Sequence, residues 1–584
     1  MDDKLLKIRH SLAHILAGAV LEHDDKAKFG TGPATDNGFY YDIELSSPVN
    51  EENLPKLEEL MREILKEGFT PEMHEITYED AKQRFKDQTH KLELIEKLND
   101  EGAKLSTYTI GNFTDLCEGP HVESSKDIDP EAFMLSNVAG AYWQGDENNQ
   151  MLTRIYGIAF ESKADLDAYK EQQEEAKKRD HRKIGKELDL FAFSPLVGSG
   201  LPLFTPKGNI MRKELEEFVW ELAKPYGYER VNIPHMAKCD LYKTSGHYDK
   251  FADDIFFVKS KKTDDEFIMK PMNCPHHTQI FASQPRSYKD LPIRYSEVTT
   301  VYRDENTGQL AGLTRVRSIT QDDAHVFCTE DQVKDEVLAI YDIIKNFYEA
   351  FDMPLAVRLS TNDPEEPEKY LGTPELWENS INTLKSCIEE IGKEYVTEPG
   401  EAAFYGPKID FVATDAIGRE WQLATAQLDF NLPERFKLEY TDSDGKKKRP
   451  VMIHRAISGS LERFLGVAIE HFAGAFPLWL SPIQVGLVPV SEDHAAYTQE
   501  LKEKLEAQNI RVEVNAENIS LGKRIYGFKG QKVPYVIVVG DKEVESNEVS
   551  PEHRDLGKLD GVNVDDFIQK LIEERDSRAL APTT

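Results

Sequence analysis

The chain has 584 residues, 40% of them apolar and 30% charged, with a mean hydropathy of −0.54, a soluble composition long enough for three or four separate cores. Its formal net charge of −34 excludes a protein that binds nucleic acid over its whole surface, so any RNA contact has to use local basic patches and weaken steeply with salt. No apolar run approaches a membrane span and no signal-peptide core follows Met1, while five scattered cysteines (Cys117, Cys239, Cys274, Cys328, Cys387) suit reduced thiols in the cytoplasm better than a disulfide framework.

Residues 4–21 place Leu5, Ile8, Leu12, Ile15 and Leu16 at helical spacing and predict an amphipathic helix with His10 and His14 on one face. The HxxxH spacing suits metal binding, general-base work or ordinary packing. Cys117 and His121 repeat the same interval far downstream, within Asp115-Leu116-Cys117-Glu118-Gly119-Pro120-His121. Three imidazoles and a thiol are a zinc-type donor set, and they serve equally well to position a hydrolytic water. Residues 165–188 are charged, helix-favouring and free of proline, which predicts one helical linker with a Lys/Arg-rich second half.

Residues 208–224 predict a long helix, followed by Gly227-Tyr228-Glu229-Arg230-Val231-Asn232-Ile233-Pro234, a strand ending on proline. Residues 296–302 and 315–319 are alternating, β-branched runs joined by a Gly-containing loop, and predict two antiparallel strands. Arg303 and Glu305 fall near the end of the first, Arg315 and Arg317 near the start of the second. An arginine held by a strand presents a fixed bidentate fork to phosphate, although a surface salt-bridge ladder has the same appearance. Gly459-Ser460-Leu461-Glu462-Arg463-Phe464 opens a helix whose Leu461, Phe464, Leu465, Ala468, Ile469 and Phe472 repeat at core-facing spacing. Arg463 then lies in the first turn, where the helix N-terminus favours anions.

From about residue 483 the pattern changes. Strands over 485–490, 511–514 and 535–539 alternate with helices over 492–508 and 522–529, before a last helix over 565–574. That alternation predicts a small α/β domain with a mainly parallel sheet. The basic clusters are Lys177-Lys178-Arg179, residues 446–449, and Lys523-Arg524 with Lys529 and Lys532; each is as readily a solvated face as an RNA contact.

The helix–strand–proline segment, the Arg303-x-Glu305 strand end with its loop, and the Arg463 helix occur in the order of motifs 1, 2 and 3 of the class II aminoacyl-tRNA synthetases, which the chain resembles. The tail Gln321-Asp322-Asp323-Ala324-His325 narrows the resemblance to the threonyl-tRNA synthetase family. Gly32-Pro33-Ala34-Thr35-Asp36-Asn37-Gly38-Phe39-Tyr40-Tyr41 and the Cys117-x-x-x-His121 segment resemble the editing domain that this family shares with alanyl enzymes. There is no Gly-x-x-x-x-Gly-Lys-Ser/Thr loop for a P-loop mode of ATP binding. The resemblance implies an α+β multidomain chain: an α+β editing domain over residues 1–164, a helical linker over 165–188, a class II antiparallel sheet with helices over 189–482, and a C-terminal α/β anticodon-binding domain over 483–584. The chain begins directly at the editing helix, so the ubiquitin-like domain that usually precedes it in bacterial members is expected to be missing. The implied activity is ATP-dependent attachment of L-threonine to tRNA(Thr) through a threonyl-adenylate, with hydrolysis of mischarged Ser-tRNA(Thr), by a cytoplasmic homodimer without a membrane partner.

Carried over position by position, Arg303 would contact the α-phosphate and the amino-acid carboxylate, Glu305 the adenine side, and Arg315 and Arg463 the outer phosphates, with Mg2+ accompanying ATP. Cys274, His325 and His454 would hold one Zn2+ per subunit on neighbouring strands, although their separations of 51 and 129 residues form no recognisable zinc spacing. Threonine chelates such a metal through its amino and hydroxyl groups, valine lacks the hydroxyl, and serine has both, so a second, hydrolytic site is expected. The resemblance gives that site His10, His14, Asp115, Cys117 and His121, with Lys91 placed by its distance from Cys117, and implies no metal there. Asp323 would bind the threonine amino group, Tyr405, Gln321, Gln427, Met272 and Ser460 would lie near substrate, and His247 would assist transfer to the terminal ribose. Asn518 and Glu543 would read anticodon bases. Two departures stand out: Asn273-Cys274-Pro275-His276-His277 has a histidine where the family usually has glycine, with His276 expected at the surface, and Pro551-Glu552-His553-Arg554 replaces a frequent Arg-x-Arg. The complete set Arg303, Arg315, Arg463, Cys274, His325 and His454 favours a catalyst over a silent tRNA-binding paralogue, which needs none of them.

Overall fold

A computed structural model describes residues 3–146, 148–250 and 252–582, which divide into two compact units between Glu174 and Glu175. In the first unit the helix Asp3–His23 is buried along most of its length, with Ile8, Leu12, Ile15, Leu16 and Val20 in the core. Arg9, within this helix, is also buried, and its guanidinium donates to the carbonyls of Ala159 (3.0 Å), Thr35 (3.3 Å) and Asp36 (2.5 Å). Those bonds tie the helix to a four-stranded antiparallel sheet ordered Lys28–Phe29, Gly38–Glu44, Met151–Ala159, Phe133–Tyr142. A second antiparallel sheet, Glu72–Glu75, Ser106–Ile110 and Phe113–Leu116, carries Asp115.

The centre of the second unit is an eight-stranded sheet: Glu229–Arg230, Ile293–Tyr302, Ser318–Cys328, Val451–Ser460, Glu420–Asp429, Lys408–Thr414, Leu355–Thr361, Tyr395–Pro399. It is antiparallel except for its two outermost pairs, which are parallel. Strand alternation divides the labour. In Ser318–Cys328, Ala324, Val326 and Cys328 join a core with Ile340 and Phe347 of Val333–Glu349 and Phe464 of Leu461–His471, while Gln321, Asp323 and His325 occupy the opposite face.

The pairing of Ser318–Cys328 with Val451–Ser460 contains a register shift. Asp323 lies opposite Ala456, but Gln321 lies opposite Ser460. The fully buried Asp322 carboxylate holds the extra residues, accepting from the amides of Ile457 (2.8 Å) and Ser458 (3.1 Å), with the Arg455 guanidinium at 3.5 Å. Burial pushes its pKa up to about 6 in spite of those donors. Tyr348 donates to the Ile457 carbonyl (3.0 Å). The bulge leads into Gly459 (φ +73°) and then Ser460, whose hydroxyl caps the helix Leu461–His471 by accepting from the Arg463 amide. This local geometry points the first helical turn at the polar face of the sheet.

Three expectations are corrected. The linker is two helices, Lys163–Arg179 and His181–Glu187, because Asp180 accepts from the Arg182 amide (2.8 Å) and caps the second. The second strand of the central hairpin starts at Ser318, so Arg315 and Arg317 belong to the loop: their amides donate to the Ala311 and Gly200 carbonyls, while the Arg317 carbonyl still accepts from the Arg303 amide (3.0 Å). After the helix Pro206–Ala223 only Glu229–Arg230 is strand. The C-terminal sheet pairs Val512–Val514, Val485–Pro489 and Tyr535–Val539 in parallel, with Pro551–His553 and Gly557–Lys558 antiparallel at one side. Arg511 fastens it to the larger sheet's helices through Glu214 (2.5 Å) and the Trp479 carbonyl (2.5 Å). No helix among the described residues is long and apolar enough to cross a membrane.

At Gly459 a Cβ would meet the Leu423 carbonyl oxygen at 2.6 Å and force a positive φ on an L-residue. Gly459→Ala is therefore expected to cost about 1–3 kcal/mol, read as a lower midpoint in thermal unfolding; an unchanged midpoint would contradict the strained-turn account.

Candidate functional site

Arg303, Glu305, Arg315, Gln321, Thr425, Ser460 and Arg463 line a cavity of about 410 Å³ above the polar face of the large sheet. Arg303 directly follows the strand Ile293–Tyr302, and its guanidinium donates to a weak acceptor, the Met272 sulfur, at 3.2 Å. Arg463 lies over the Trp421 ring at 5.9 Å, and among the described residues its buried Nε has no hydrogen-bond partner. Burial lowers the pKa of both guanidinium groups, so each is a partly desolvated cation. Arg315 is paired with Glu305 (2.7 Å) and donates to Gln309 (3.1 Å). Three guanidinium groups around one concave space with one carboxylate between them have the charge and donor geometry that suits an anion.

Gln321, Asp323 and His325 succeed one another along the same strand face, which leads from this cavity to a metal-type donor set. One ligand atom from each of Cys274, His325 and His454 lies within 4.8 Å of the others. His325 and His454 are directly opposite in register. Cys274 departs from expectation: it is the first residue of the helix Cys274–Ala282, not a strand residue, and Pro275 after it suits a first helical turn. The ring partners set the tautomers. His454 Nε2 is 2.8 Å from the Asp429 carboxylate, to which it donates, leaving Nδ1 as a lone pair. His325 Nδ1 is 2.8 Å from His277 Nδ1, and His277 Nε2 faces Glu297 at 3.8 Å. With His325 Nδ1 donating to His277 Nδ1, His277 Nε2–H is turned toward the Glu297 carboxylate, which lies beyond hydrogen-bond reach, and His325 Nε2 is left as a lone pair as well. The two lone-pair nitrogens are 3.0 Å apart, close to the ~3.3 Å edge of a tetrahedron with bonds of about 2.0–2.1 Å. Two facing acceptors and a buried thiol fit a divalent cation.

The remaining candidates cluster here. Asp323 accepts from Asn273 (2.9 Å) and lies 3.8 Å from His325 Nε2. Tyr405 stacks on His454 at 4.7 Å and donates to Gln427 (2.6 Å). His247 is fully buried, 3.6 Å from the Cys274 sulfur, with its other nitrogen on Ser245 (2.8 Å), and does not line the cavity. His276 is not at the surface: it is 8% exposed, with Nδ1 3.4 Å from the Tyr242 hydroxyl, because its helix packs that face against Cys239–Ser245. His277, Asp429 and Trp421 were not legible as site residues; for His277 the available signal was a second imidazole three residues after a thiol.

In the first unit, His10, His14, Cys117 and His121 bring their ligand atoms within 4.8 Å of one another. His10 Nδ1 faces the Pro120 carbonyl (3.1 Å) and must donate, so Nε2 accepts from the Cys117 thiol at 3.4 Å. Ser11 accepts from the Val122 amide and donates to His121 Nδ1 (3.1 Å), so His121 Nε2–H points at the same sulfur, 3.4 Å away. This directional chain closes on a protonated thiol. Burial agrees, raising the Cys117 pKa to about 12 and lowering that of His121 to about 2. Lys91 and Asp115 form a buried ion pair that Tyr41, overlooked in the sequence, joins from the side. His14 Nε2 is 3.7 Å from Asp115, and its buried Nδ1 has no hydrogen-bond partner.

Asn518 and Glu543 follow the strands Val512–Val514 and Tyr535–Val539, at the same end of a parallel sheet. Asn518 is exposed, whereas Glu543 accepts from the Gly540 amide (3.0 Å). The basic clusters are largely engaged by the protein itself: Arg179 by Glu175, Arg449 by Glu434, Lys529 by Glu552, and buried Arg524 by the Pro489 carbonyl.

Residues 256–472 match the tRNA synthetase class II core domain (G, H, P, S and T), residues 484–574 an anticodon binding domain, and residues 105–156 the threonyl and alanyl tRNA synthetase second additional domain. The threonine–tRNA ligase of Porphyromonas gingivalis is 48% identical over 578 residues, 98% of this chain and 88% of that protein. That of Deinococcus radiodurans is 45% identical over 582 residues, covering 98% and 89%. Among solved structures, the RNA binding domain of threonyl-tRNA synthetase from Cryptosporidium parvum Iowa II superposes with a TM-score of 0.65 at 35% identity, over 69% of this chain and 99% of that one.

Two outcomes follow from these contacts. His277→Ala is expected to weaken metal binding about 10- to 100-fold, measured by competition with a chromophoric chelator; unchanged affinity would remove His277 as an orienting partner. Folded His14 and His121 resist protonation while their unfolded counterparts titrate near 6.5, so acid favours the unfolded chain. Stability is expected to fall below that value by about 1.4 kcal/mol per ring per pH unit, and His121→Asn should flatten the fall seen in thermal unfolding between neutral pH and about pH 5.

Proposed function

The chain belongs to the threonyl-tRNA synthetase family, and from that premise we propose that it activates L-threonine with ATP, transfers it to tRNA(Thr) and hydrolyses mischarged Ser-tRNA(Thr). We assign editing to residues 1–164, a helical linker to 165–188, aminoacylation to 189–482 and anticodon binding to 483–584. The observation that carries this reading is the position of the three guanidinium groups beside the Cys274, His325 and His454 donor set on one sheet face.

In the first step a threonine carboxylate oxygen attacks the α-phosphorus of Mg2+-bound ATP, and pyrophosphate leaves. Arg303, a partly desolvated cation lining the cavity, holds the α-phosphate and the carboxylate together. Arg315 and Arg463 hold the outer phosphates, where negative charge accumulates as the bond breaks. Arg315 exchanges its pairing with Glu305 for phosphate, which frees Glu305 for the adenine amino group. Asp323 accepts from the amino group of threonine, while Tyr405, Gln321, Gln427, Met272 and Ser460 close the pocket around it. Cys274, His325 and His454 would hold Zn2+, which would supply a Lewis acid for a substrate bearing both an amino and a hydroxyl group, as threonine does and valine does not. His247 stands near enough to the donor set to assist transfer to the terminal ribose.

Serine passes the same test, and the first unit then acts on the product. Neutral His10, His14 and His121 with the Cys117 thiol orient a water at the ester carbon. Lys91 and Asp115 hold the amino end of the seryl group. Asn518 and Glu543 stand for the anticodon contacts. We place the homodimer in the cytoplasm, in keeping with its five free thiols.

The test is amino-acid-dependent ATP–pyrophosphate exchange on zinc-loaded protein. Exchange is expected to be strong with threonine, weaker with serine and negligible with valine, and Arg463→Ala is expected to reduce it about 100-fold or more. No exchange with any of the three amino acids would overturn the reading.

A further inference from the structure

His181, Glu470 and Asp180 form a third cluster of metal-type donors, outside both sites described above. The bonds around the ring exclude a ligand role. His181 Nε2 accepts the Leu313 amide at 2.9 Å, and Nδ1 donates to Glu470 at 2.6 Å, so both nitrogens are used. The His181 amide, the first of its helix and without an intrahelical acceptor, also donates to Glu470 (3.1 Å). The imidazole is 5% exposed and Glu470 6%.

What meets at this ring is informative. Leu313 lies in the motif 2 loop directly before Thr314 and Arg315, which line the cavity. Glu470 lies near the end of Leu461–His471, the helix that begins with Arg463. Glycines make the approach possible. At Gly312 (φ +52°) a Cβ would come within 2.2 Å of His181 Nε2, and at Gly466 it would meet Thr314 at 3.2 Å and Leu313 at 3.4 Å. The contact continues beyond Glu470 to Arg419 (2.6 Å), from Arg419 to Asp415 (2.7 Å), and from Asp415 to Trp421 (3.0 Å), the ring under Arg463.

We propose that His181 is a positioning residue for the ATP site: it clamps the loop that presents Arg315 to the helix that presents Arg463. The role deepens the synthetase reading above and rests on it. Within the loop the Arg315 and Thr314 amides turn back on Ala311, while the Arg317 amide donates to the Gly200 carbonyl (2.8 Å) and the Leu313 side chain is buried in the core. The Leu313–His181 bond adds the tie that leads, through Glu470, to the helix carrying Arg463. Removing the ring leaves the Leu313 amide buried without an acceptor and Glu470 without one of its donors. The effect is expected on outer-phosphate binding, because the loop presents Arg315, rather than on threonine, whose proposed contacts Asp323, Tyr405 and Gln427 lie outside the loop.

The experiment compares the full chain with His181→Ala and His181→Gln, whose side-chain oxygen can still accept from Leu313. Threonine-dependent exchange, calorimetric ATP binding, Ser-tRNA hydrolysis and thermal unfolding are measured on each. His181→Ala is expected to raise the ATP KM and weaken ATP binding about 10- to 100-fold, to leave the threonine KM and Ser-tRNA hydrolysis near wild type, and to be largely rescued by His181→Gln. The proposal is overturned by ATP parameters within about twofold of wild type, by exchange and hydrolysis falling together with the unfolding midpoint, or by a glutamine variant no better than alanine. Absence of exchange in the wild-type chain would overturn the synthetase reading itself and this proposal with it, before any variant is compared.

Discussion

The fixed point of the larger unit is the Asp322 carboxylate under the register shift between Ser318–Cys328 and Val451–Ser460. On one side of the shift the two strands are in register, which sets His325 against His454. On the other, two extra residues turn the chain through Gly459 into the helix of Arg463. A metal-type donor set and an anion site thus share two strands, and one buried carboxylate sets the offset between them. Burying that charge is costly without donors, and two amides and Arg455 supply them. Sliding one strand by a residue would turn His325 into the core and Ala324 out of it, so the hydrophobic pattern and the site geometry select the same register.

Electrostatics follows a similar economy. The chain is strongly acidic, yet two partly desolvated arginines, Arg303 and Arg463, line one cavity, while most basic clusters visible in the sequence are engaged by neighbouring carboxylates or carbonyls. An acidic surface with a cationic recess repels polyanions generally and admits them at one place. In the first unit the logic inverts: the groups are held neutral, with protons placed by a chain of hydrogen bonds instead of by charge.

How much of this was legible depended on how local each signal was. His10 and His14 share a helix face by spacing alone, and the Arg463 helix, with its serine cap and apolar repeat, was readable from its own residues. The grouping of Cys274, His325 and His454 was not, because strand pairing and a helix start, rather than sequence interval, bring them together; only resemblance to a family supplied it. His276 was misplaced because its partner, Tyr242, is a tertiary neighbour 34 residues away. The break at Asp180 had a local sign, a capping aspartate inside a helical run, which the helix-favouring composition around it outweighed. Arg315 and Arg317 read as strand by alternation, but their amides go to the carbonyls of Ala311 and Gly200. Tyr41 and His277 carry no sequence mark distinguishing them from core residues.

The closed hydrogen-bond chain around Cys117 has a consequence for chemistry other than hydrolysis. Sulfur oxidation proceeds through the thiolate, and a thiol whose pKa is near 12, donating to one imidazole and accepting from another, offers almost none at neutral pH. A lower-pKa cysteine at the same place would be the first casualty of peroxide. Burial therefore holds this sulfur in its thiol form, the less readily oxidised of its two protonation states.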